Sequence, residues 1–431
     1  MFRSMTPPKS ASMTKMADFA GLRRLPKGSL PVVLLGGLNV VRALGLGGIP
    51  VIVASADDEE PARFSRYCAA HWSLPPLGQA SGVLDRLESL AARLAGMHMR
   101  KPPLFFSNDE YLRFVLAHRA RLEQRFSLLL SDDEVAWALL DKARFAAFAA
   151  ERNLPVPRAF SWDGSDGPAL AGQREPVLVK PAEKLAAADV SAVGALFDGG
   201  KALVRASGAE VMADARIAAL RDRLVFQEYV EGDDSALWCY DAVADEHGNV
   251  LASHTGRKLR CAPPLTGDSS YIELARNEEL EVLGREIAAS LPLRGIFNMD
   301  LKRDARTGRW YLLEVNARCN LWLYMGAMNG VNLARVLYRY LVHHERPAAL
   351  RFRQRYRWID FALDRSACRD LARGGKLTPS AWLASLMRPK VYSVFAWRDP
   401  GPLTRMWAVR ARNRLQRAAR RLGPPQRPAK S

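Results

Sequence analysis

The chain has 431 residues, 48% hydrophobic and 25% charged, a balance that suits a soluble globular protein of two to four domains at about 150 residues each. No run approaches the roughly 18 consecutive apolar residues of a membrane-spanning helix, and the basic, Ser-rich N-terminus lacks the apolar segment of a secretory signal. The formal charge is +18, but from Arg351 to Ser431 there are 20 Lys/Arg against 4 Asp/Glu, so nearly all of the excess lies in the last fifth and the chemistry belongs to the near-neutral remainder.

In chain order, residues 1–29 read as a disordered N-terminus, with Met1, Met5, Met13 and Met16 leaving the start of translation open. "PVVLLGG", "LNVVRALGLGG" and "IPVIVA" predict strand, helix and strand, the opening βαβ unit of a parallel sheet. Helical patterning returns over Val83 to Leu94, and "PLFFSNDEY" is a further strand ending in a polar loop. Residues 30–130 are therefore expected to form a doubly wound, Rossmann-like domain. Ser131 to Glu134 reads as an S-x-x-E capping box that starts one long helix carrying Lys142 and ending near Asn153. Short strands follow at "PVLVK", "KALVRA" and "RLVFQEYV", which predict a small α+β subdomain over 131–230.

From Ser235 the pattern becomes a larger antiparallel sheet, expected over 231–345. "ALWCYDAVA" and "VLASHTGRK" form one hairpin about Asp245 to Asn249, and "IFNMDLKRD" and "RWYLLEVN" form another about Thr307-Gly308. Residues 346–431 are expected to be a basic, helical C-terminal extension. The five cysteines, Cys68, Cys239, Cys261, Cys319 and Cys368, are odd in number, well separated and without metal-ligand spacing. Free thiols in a reducing cytoplasm are the simplest reading.

The second hairpin carries the chemistry. A turn near Thr307 sets Asp300 opposite Glu314, and alternation puts Asn298, Asp300, Glu314 and Asn316 on one face, with Phe297, Met299, Leu313 and Val315 on the other. Opposed carboxylates repel. A divalent cation resolves the conflict, and an all-oxygen set suits Mg²⁺, completed by water and phosphate. The plain alternative is a solvated sheet face neutralised by Lys302 or Arg318.

Together with the elements upstream, "NMDLKRDARTGRWYLLEVNAR" resembles the metal-binding hairpin of the ATP-grasp superfamily. That resemblance implies Asp300, Glu314 and Asn316 as ligands of Mg²⁺, or of Mn²⁺ in its place. It implies Lys142 and Lys180 as the two phosphate-contacting lysines, which suits a mobile point charge shared among oxygens. "QEYVEGDD" resembles the adenine-holding hinge, with Gln227 on the amino group, the backbone of Glu228 and Val230 on the ring edge, and Asp234 on the ribose. Arg318 matches an arginine of carboxylase-type members that faces the reacting group. The chain departs from the family after Lys180, where only Gly199-Gly200 stands for the usual Gly-rich lid. Arg257, Lys258 and Arg260 form a cationic strand end that would grip the transferred phosphate; its alternative is a solvated strand end. With "FFSNDEY", "SRYC" and "DKARFAAFAAERNLPVP", this loop resembles the carboxylate–amine ligase and D-aspartate-ligase-like branch.

The resemblance implies that ATP activates a carboxylate as an acyl phosphate, which an amine then attacks. A non-amine acceptor, or a non-catalytic nucleotide-responsive scaffold, are the rival readings. "GGLN" at Gly36 to Asn39 is open between a nucleotide loop and a structural turn. Asp109 and Glu110 lie where ligands bind in open α/β sheets, and could hold the amine or be surface loop. Many relatives are dimers, so a homodimer is also open. The last helix, from about Leu403 to Leu422, has an apolar seam of Leu403, Trp407, Ala411, Leu415, Ala418 and Leu422 among arginines. It fits an anionic membrane surface, at the inner face of the cell membrane, or a helix packed on the enzyme with a solvated basic face. Nucleic acid is the least favoured partner.

Overall fold

The computed structural model describes Leu22, Leu25 and residues 28–422, except 164–166, 183–194, 198–201 and 349. The Gly199-Gly200 lid candidate lies outside the described residues. Strands β1 (Val32–Leu35), β2 (Val51–Ser55), β3 (Cys68–Ser73) and β4 (Leu104–Phe106) form a parallel sheet in the order β3-β2-β1-β4. β1, β2 and β4 are buried along their length, as strands covered on both faces must be. Leu22 and Leu25 are 5% and 8% exposed and pack into this core. That corrects the disordered reading at these two positions, since burying a leucine is favourable by about 1.5–3 kcal/mol. Gly36 and Gly37 have φ of +78° and +86°, and a Cβ on Gly37 would lie 2.7 Å from that of Ser107. Protein fills the space beside this turn, which favours the structural reading of "GGLN".

The expected long helix is two. The helix Asp133–Leu140 stops at Asp141, whose φ of −119° and ψ of 118° are extended, and a second helix runs Lys142–Glu151. The Asp141 carboxylate accepts from the Arg144 N–H at 3.0 Å, so the break carries its own N-cap. Ser131 is no helix cap: it is buried, and its Oγ accepts from the Arg294 N–H at 3.0 Å. Strands β5 (Ala159–Phe160), β6 (Val177–Pro181), β7 (Leu203–Arg205) and β8 (Leu224–Glu228) make an antiparallel sheet in the order β5-β8-β6-β7. Val177, Val179 and Phe226 face its core.

The largest sheet contains β9 (Leu237–Ala244), β10 (Val250–Ala262), β11 (Asp268–Leu274), β12 (Gly295–Arg303), β13 (Trp310–Asn316), β14 (Arg357–Ile359) and β15 (Lys390–Tyr392). Its order is β13-β12-β9-β10-β11-β14-β15, antiparallel except for the last pair. The C-terminal segment is therefore not a helical extension alone. Trp358, Ile359 and Val391 are buried in it, because two three-residue strands extend the sheet, and Trp358 and Val391 cover Ile272, Trp322 and Met325. Among the described residues no helix is long and apolar enough to cross a membrane.

Candidate active site

In the β12–β13 hairpin the register pairs Asn298 with Asn316, Met299 with Val315, and Asp300 with Glu314. The turn is fixed by Asp304, whose Oδ1 accepts from the N–H groups of Arg306 and Thr307 at 2.9 and 2.7 Å. Met299 and Val315 are buried on the apolar face, which leaves the polar set on the other, but the expected place of Leu313 is corrected: the register shifts there, and Leu312 is buried instead. Lys258 on β10 approaches the same face, its Nζ 3.0 Å from Asp300 Oδ2. Burial alone would lower this ammonium, but Asp300 outweighs it and holds the pKa above its usual range. Lys258, rather than Lys302 or Arg318, is thus the counter-charge beside Asp300.

The polar face continues onto β9, where Cys239 stands opposite Asp300 and Asp241 opposite Asn298. Asp241 is fully buried and accepts from Asn320 Nδ2 at 2.7 Å and Asn298 Nδ2 at 3.2 Å. Asn298 Oδ1 accepts from Asn316 Nδ2 at 3.4 Å, and Asn316 Oδ1 accepts from Arg318 at 2.9 Å. In its ionised form the Asp241 carboxylate only accepts, and it thus orients one amide, which orients the next. Burial pushes Asp241 up to about 7, against the hydrogen bonds from Asn320, Cys239 and Asn298. Asp241 and Asn320 belong to this face although no motif or spacing in the sequence marks them. A lone acid at a buried position of the apolar strand "LWCYDAVA" was the available signal.

Across from the hairpin, Lys142 Nζ donates to the Pro181 carbonyl at 2.8 Å, which brings it beside Lys180 at the end of β6. Burial, and then the charge of Lys142, pull the Lys180 ammonium down to about 8; Glu314 pulls the other way. The two lysines and the Glu314 carboxylate therefore share one electrostatic neighbourhood. Arg318 pairs with Asp109, at the start of the helix Asp109–Ala117 that follows β4. Cys319 N–H donates to the Phe106 carbonyl at 3.1 Å. These contacts join the end of the first sheet to the end of the hairpin. Burial lowers the Arg318 pKa, and the charges of Glu314 and Asp300 oppose that.

At the hinge, Gln227 is buried on β8 and Val230 follows it. The Glu228 N–H is committed to the Arg158 carbonyl at 2.8 Å. Gly232 has φ of +127°, a conformation that favours glycine. Lys302 lies 4.6 Å from the Tyr229 ring centre, so its charge serves the hinge rather than the Asp300–Glu314 pair.

Two expectations need correction. Arg257, Lys258 and Arg260 do not act as one cationic patch. Lys258 pairs with Ile272 and Arg260 with Tyr271, so Leu259 is an extra residue, a β-bulge that turns Arg260 to the opposite face. There Arg260 is buried, with Nε and Nη2 on the two Asp364 oxygens at 2.8 and 2.9 Å. Arg257, on that same face, donates to Glu273 at 3.2 and 2.5 Å. Both arginines hold the sheet together. Asp234 is also differently employed: its oxygens accept from the N–H groups of Cys261 and Leu265 at 2.7 and 2.6 Å. It is buried and anchors the loop after β10, which displaces its expected place at a ribose.

Among the described residues no three His, Cys, Asp or Glu side chains cluster as a metal cage. The hairpin offers two opposed carboxylates and one oriented amide. That partial, all-oxygen set fits Mg²⁺, which completes its shell with water and phosphate oxygens. The lysines opposite would receive those phosphates.

Residues 221–361 match the family described as ATP-grasp in the biosynthetic pathway with Ter operon. The chain is 23% identical over 323 residues to a D-aspartate ligase of Enterococcus faecium (strain Aus0004), covering 71% of this chain and 75% of that protein. Its fold is similar to that of the L-amino acid ligase from Bacillus licheniformis, with a TM-score of 0.50 at 13% identity, over 74% of this chain and 75% of the other. It is also similar to the biotin carboxylase domain dimer of a Hydrogenobacter thermophilus 2-oxoglutarate carboxylase, in complex with MgADP, ADP and bicarbonate. There the TM-score is 0.54 at 16% identity, over 76% of this chain and 73% of the other.

Proposed function

We propose that this chain, whose residues 221–361 match an ATP-grasp family, is an ATP- and Mg²⁺-dependent ligase that joins a small-molecule carboxylate to an amine. The observation that carries this reading is the cross-strand pairing of Asp300 with Glu314, facing Lys142 and Lys180. Opposed carboxylates near two cations form a charge arrangement made for a metal–triphosphate. A scaffold without chemistry would gain nothing from the repulsion.

In this reading Asp300, Glu314 and Asn316 would hold Mg²⁺, or Mn²⁺ in its place. The metal would neutralise charge on the phosphate oxygens. Lys142 and Lys180 hold the triphosphate, while Gln227 and the backbone of Glu228 and Val230 hold the adenine. Arg318 binds the substrate carboxylate, and Lys258 offsets charge beside it. A carboxylate oxygen attacks the γ-phosphorus in line, the bond to the bridging oxygen breaks, and ADP leaves. The ammonium of the second substrate first gives up a proton; the free amine then attacks the acyl carbon, phosphate departs, and the nitrogen loses a second proton to give the amide. Asp109 and Glu110 anchor the amine's cation. Because Asp109 already pairs with Arg318, each substrate's charge finds its complement within one ion pair. The carboxylate and the amine are small amino acid-like molecules, the class that the D-aspartate ligase and L-amino acid ligase names describe.

The test is formation of a hydroxamate and ADP from Mg²⁺-ATP, hydroxylamine and a panel of amino acids and other carboxylates. One carboxylate is expected to give hydroxamate, and Glu314→Gln to lose turnover by at least about a hundredfold while staying folded. Wild-type turnover in Glu314→Gln would remove the metal assignment. ADP without hydroxamate would move the reading to a different acceptor.

A further inference from the structure

The C-terminal helix, Gly401–Leu422, carries seven arginines and no acidic residue. One of its faces is fastened to the body. Arg405 donates two 2.7 Å hydrogen bonds to Glu59, Arg412 adds a third at 3.3 Å, and Arg405 lies 5.1 Å from the Phe64 ring centre. Pro402 is buried beside them. At about 100° per residue, Trp407, Ala411 and Leu415 form a stripe away from that face, with Arg410 and Arg414 along its edge. Trp407 is 60% and Leu415 71% exposed, and Trp397, just before the helix, is 87% exposed.

This arrangement inverts the usual one. A helix packed as part of a globular fold turns its apolar stripe inward and its charges outward. Here the Glu59-bound arginines, with buried Pro402 and half-buried Met406 and Val409, make the attachment, and the Trp407–Leu415 stripe is left in water. The packed-helix alternative therefore does not account for the seam.

We propose that this stripe is a docking surface for an anionic lipid bilayer. Trp and Leu would sink to the boundary between headgroups and acyl chains, and the flanking arginines would pair with lipid phosphates. The charge pattern decides among occupants. A second copy of the helix would bring Arg410 and Arg414 against their like, with no acidic residue on the helix to offset them. A nucleic acid backbone would pair with the arginines but would leave the Trp407–Leu415 stripe with little apolar surface to cover it. A bilayer with anionic headgroups satisfies both features. The consequence, if the ligase reading holds as well, is an enzyme held at a membrane surface through this helix.

The experiment is flotation of the full chain with vesicles of phosphatidylglycerol and phosphatidylethanolamine, against vesicles of phosphatidylcholine alone. The protein is expected to float with the anionic vesicles and stay behind with the neutral ones. Trp407→Ser with Leu415→Ser should weaken binding about tenfold or more, as should Arg410→Glu with Arg414→Glu. Thermal melting and Mg²⁺-ATP binding, unchanged in both pairs, would show that folding is intact. Absence of flotation with anionic vesicles would overturn the proposal. So would a Trp407/Leu415 variant that floats like wild type, tighter binding to duplex DNA than to vesicles, or a dimer in solution that the same pair dissociates. None of these readouts needs turnover, so the proposal fails or stands apart from the ligase reading.

Discussion

Lys180 stands at the end of β6 with its ammonium drawn down to about 8 by burial and by Lys142, against the pull of Glu314. In the free protein it is charged at neutral pH and loses its proton as pH rises through about 8. A bound triphosphate would raise that pKa again, so ATP binding above pH 8 should take up a proton and weaken as pH increases. Titration calorimetry in two buffers of different ionisation heat would show near-zero uptake at about pH 6.5 and most of one proton at about pH 9. Lys142→Gln removes the second cause of the depression and should move the onset of uptake upward. No uptake at the higher pH would mean that the phosphates do not reach Lys180. The amides on the metal face make a second residue-scale prediction. Asp241 fixes Asn298, and Asn298 fixes Asn316, so Asp241→Asn would put an amide N–H₂ where the ionised carboxylate only accepts. Apparent Mg²⁺ affinity should fall about 10- to 100-fold, the usual cost of losing an outer partner. The kcat should return at saturating Mg²⁺. A purely structural role would lower melting temperature and kcat together, with no rescue by metal.

Among elements, the hairpin that bears Asp300 and Glu314 was the most legible from sequence. A Thr-Gly turn and alternation place Met299, Asp300, Glu314 and Val315, but a register shift at Leu313 breaks the alternation, so that Leu312 is the residue buried with Val315. The face of Arg260 was not legible, because a β-bulge adds one residue and leaves no signature in "GRKLRC". Its partner, Asp364, lies on the helix Phe361–Arg373, over a hundred positions away, so nothing local could announce the pair. Nor could alternation reveal that the chain after residue 346 returns two strands to the sheet. Each is only three residues long, and their burial depends on the neighbouring strand. The helix break at Asp141 was hidden because an S-x-x-E match and a continuous helical pattern both argued for one helix. The Arg260–Asp364 pair gives a quantitative test. Asp364 also accepts from Trp382 Nε1 at 2.7 Å, so Asp364→Ala leaves a buried guanidinium without its counter-charge and the indole N–H without its acceptor. Denaturant unfolding should show a loss of about 3–5 kcal/mol. Replacing both members, as Arg260→Met with Asp364→Leu, should cost much less. Equal losses in the two variants would deny that an unpaired buried charge is the cause.

At the scale of the molecule, the C-terminal segment is joined to the fold in two separable ways. β14 and β15 extend the large sheet and bury Trp358, Ile359 and Val391. Farther on, Asp399 clasps the first domain: its carboxylate accepts from Arg42 Nε at 2.8 Å, Ser65 Oγ at 2.8 Å and Arg66 N–H at 2.7 Å. Arg42 is wholly buried, so the clasp leaves no water to replace Asp399. The helix beyond it is held mainly by Glu59, a partly exposed ion pair of the sort that contributes at most about 1 kcal/mol. Truncation at different points should therefore separate folding from docking. Ending the chain after Leu350 removes β14 and β15, uncovers Ile272 and Trp322, and deprives Arg42 and Arg260 of their carboxylates; that protein should be insoluble. Ending it after Pro400 keeps the sheet and the Asp399 clasp and removes only the arginine-held helix. That shorter protein should stay folded, with a melting temperature within a few degrees of the full chain, and bind Mg²⁺-ATP unchanged. It should no longer float with anionic vesicles. A shorter chain that floats as before would place the lipid contact elsewhere, with exposed Trp397 the first position to examine. One that unfolds would make the helix part of the fold and return its exposed stripe to a question of packing.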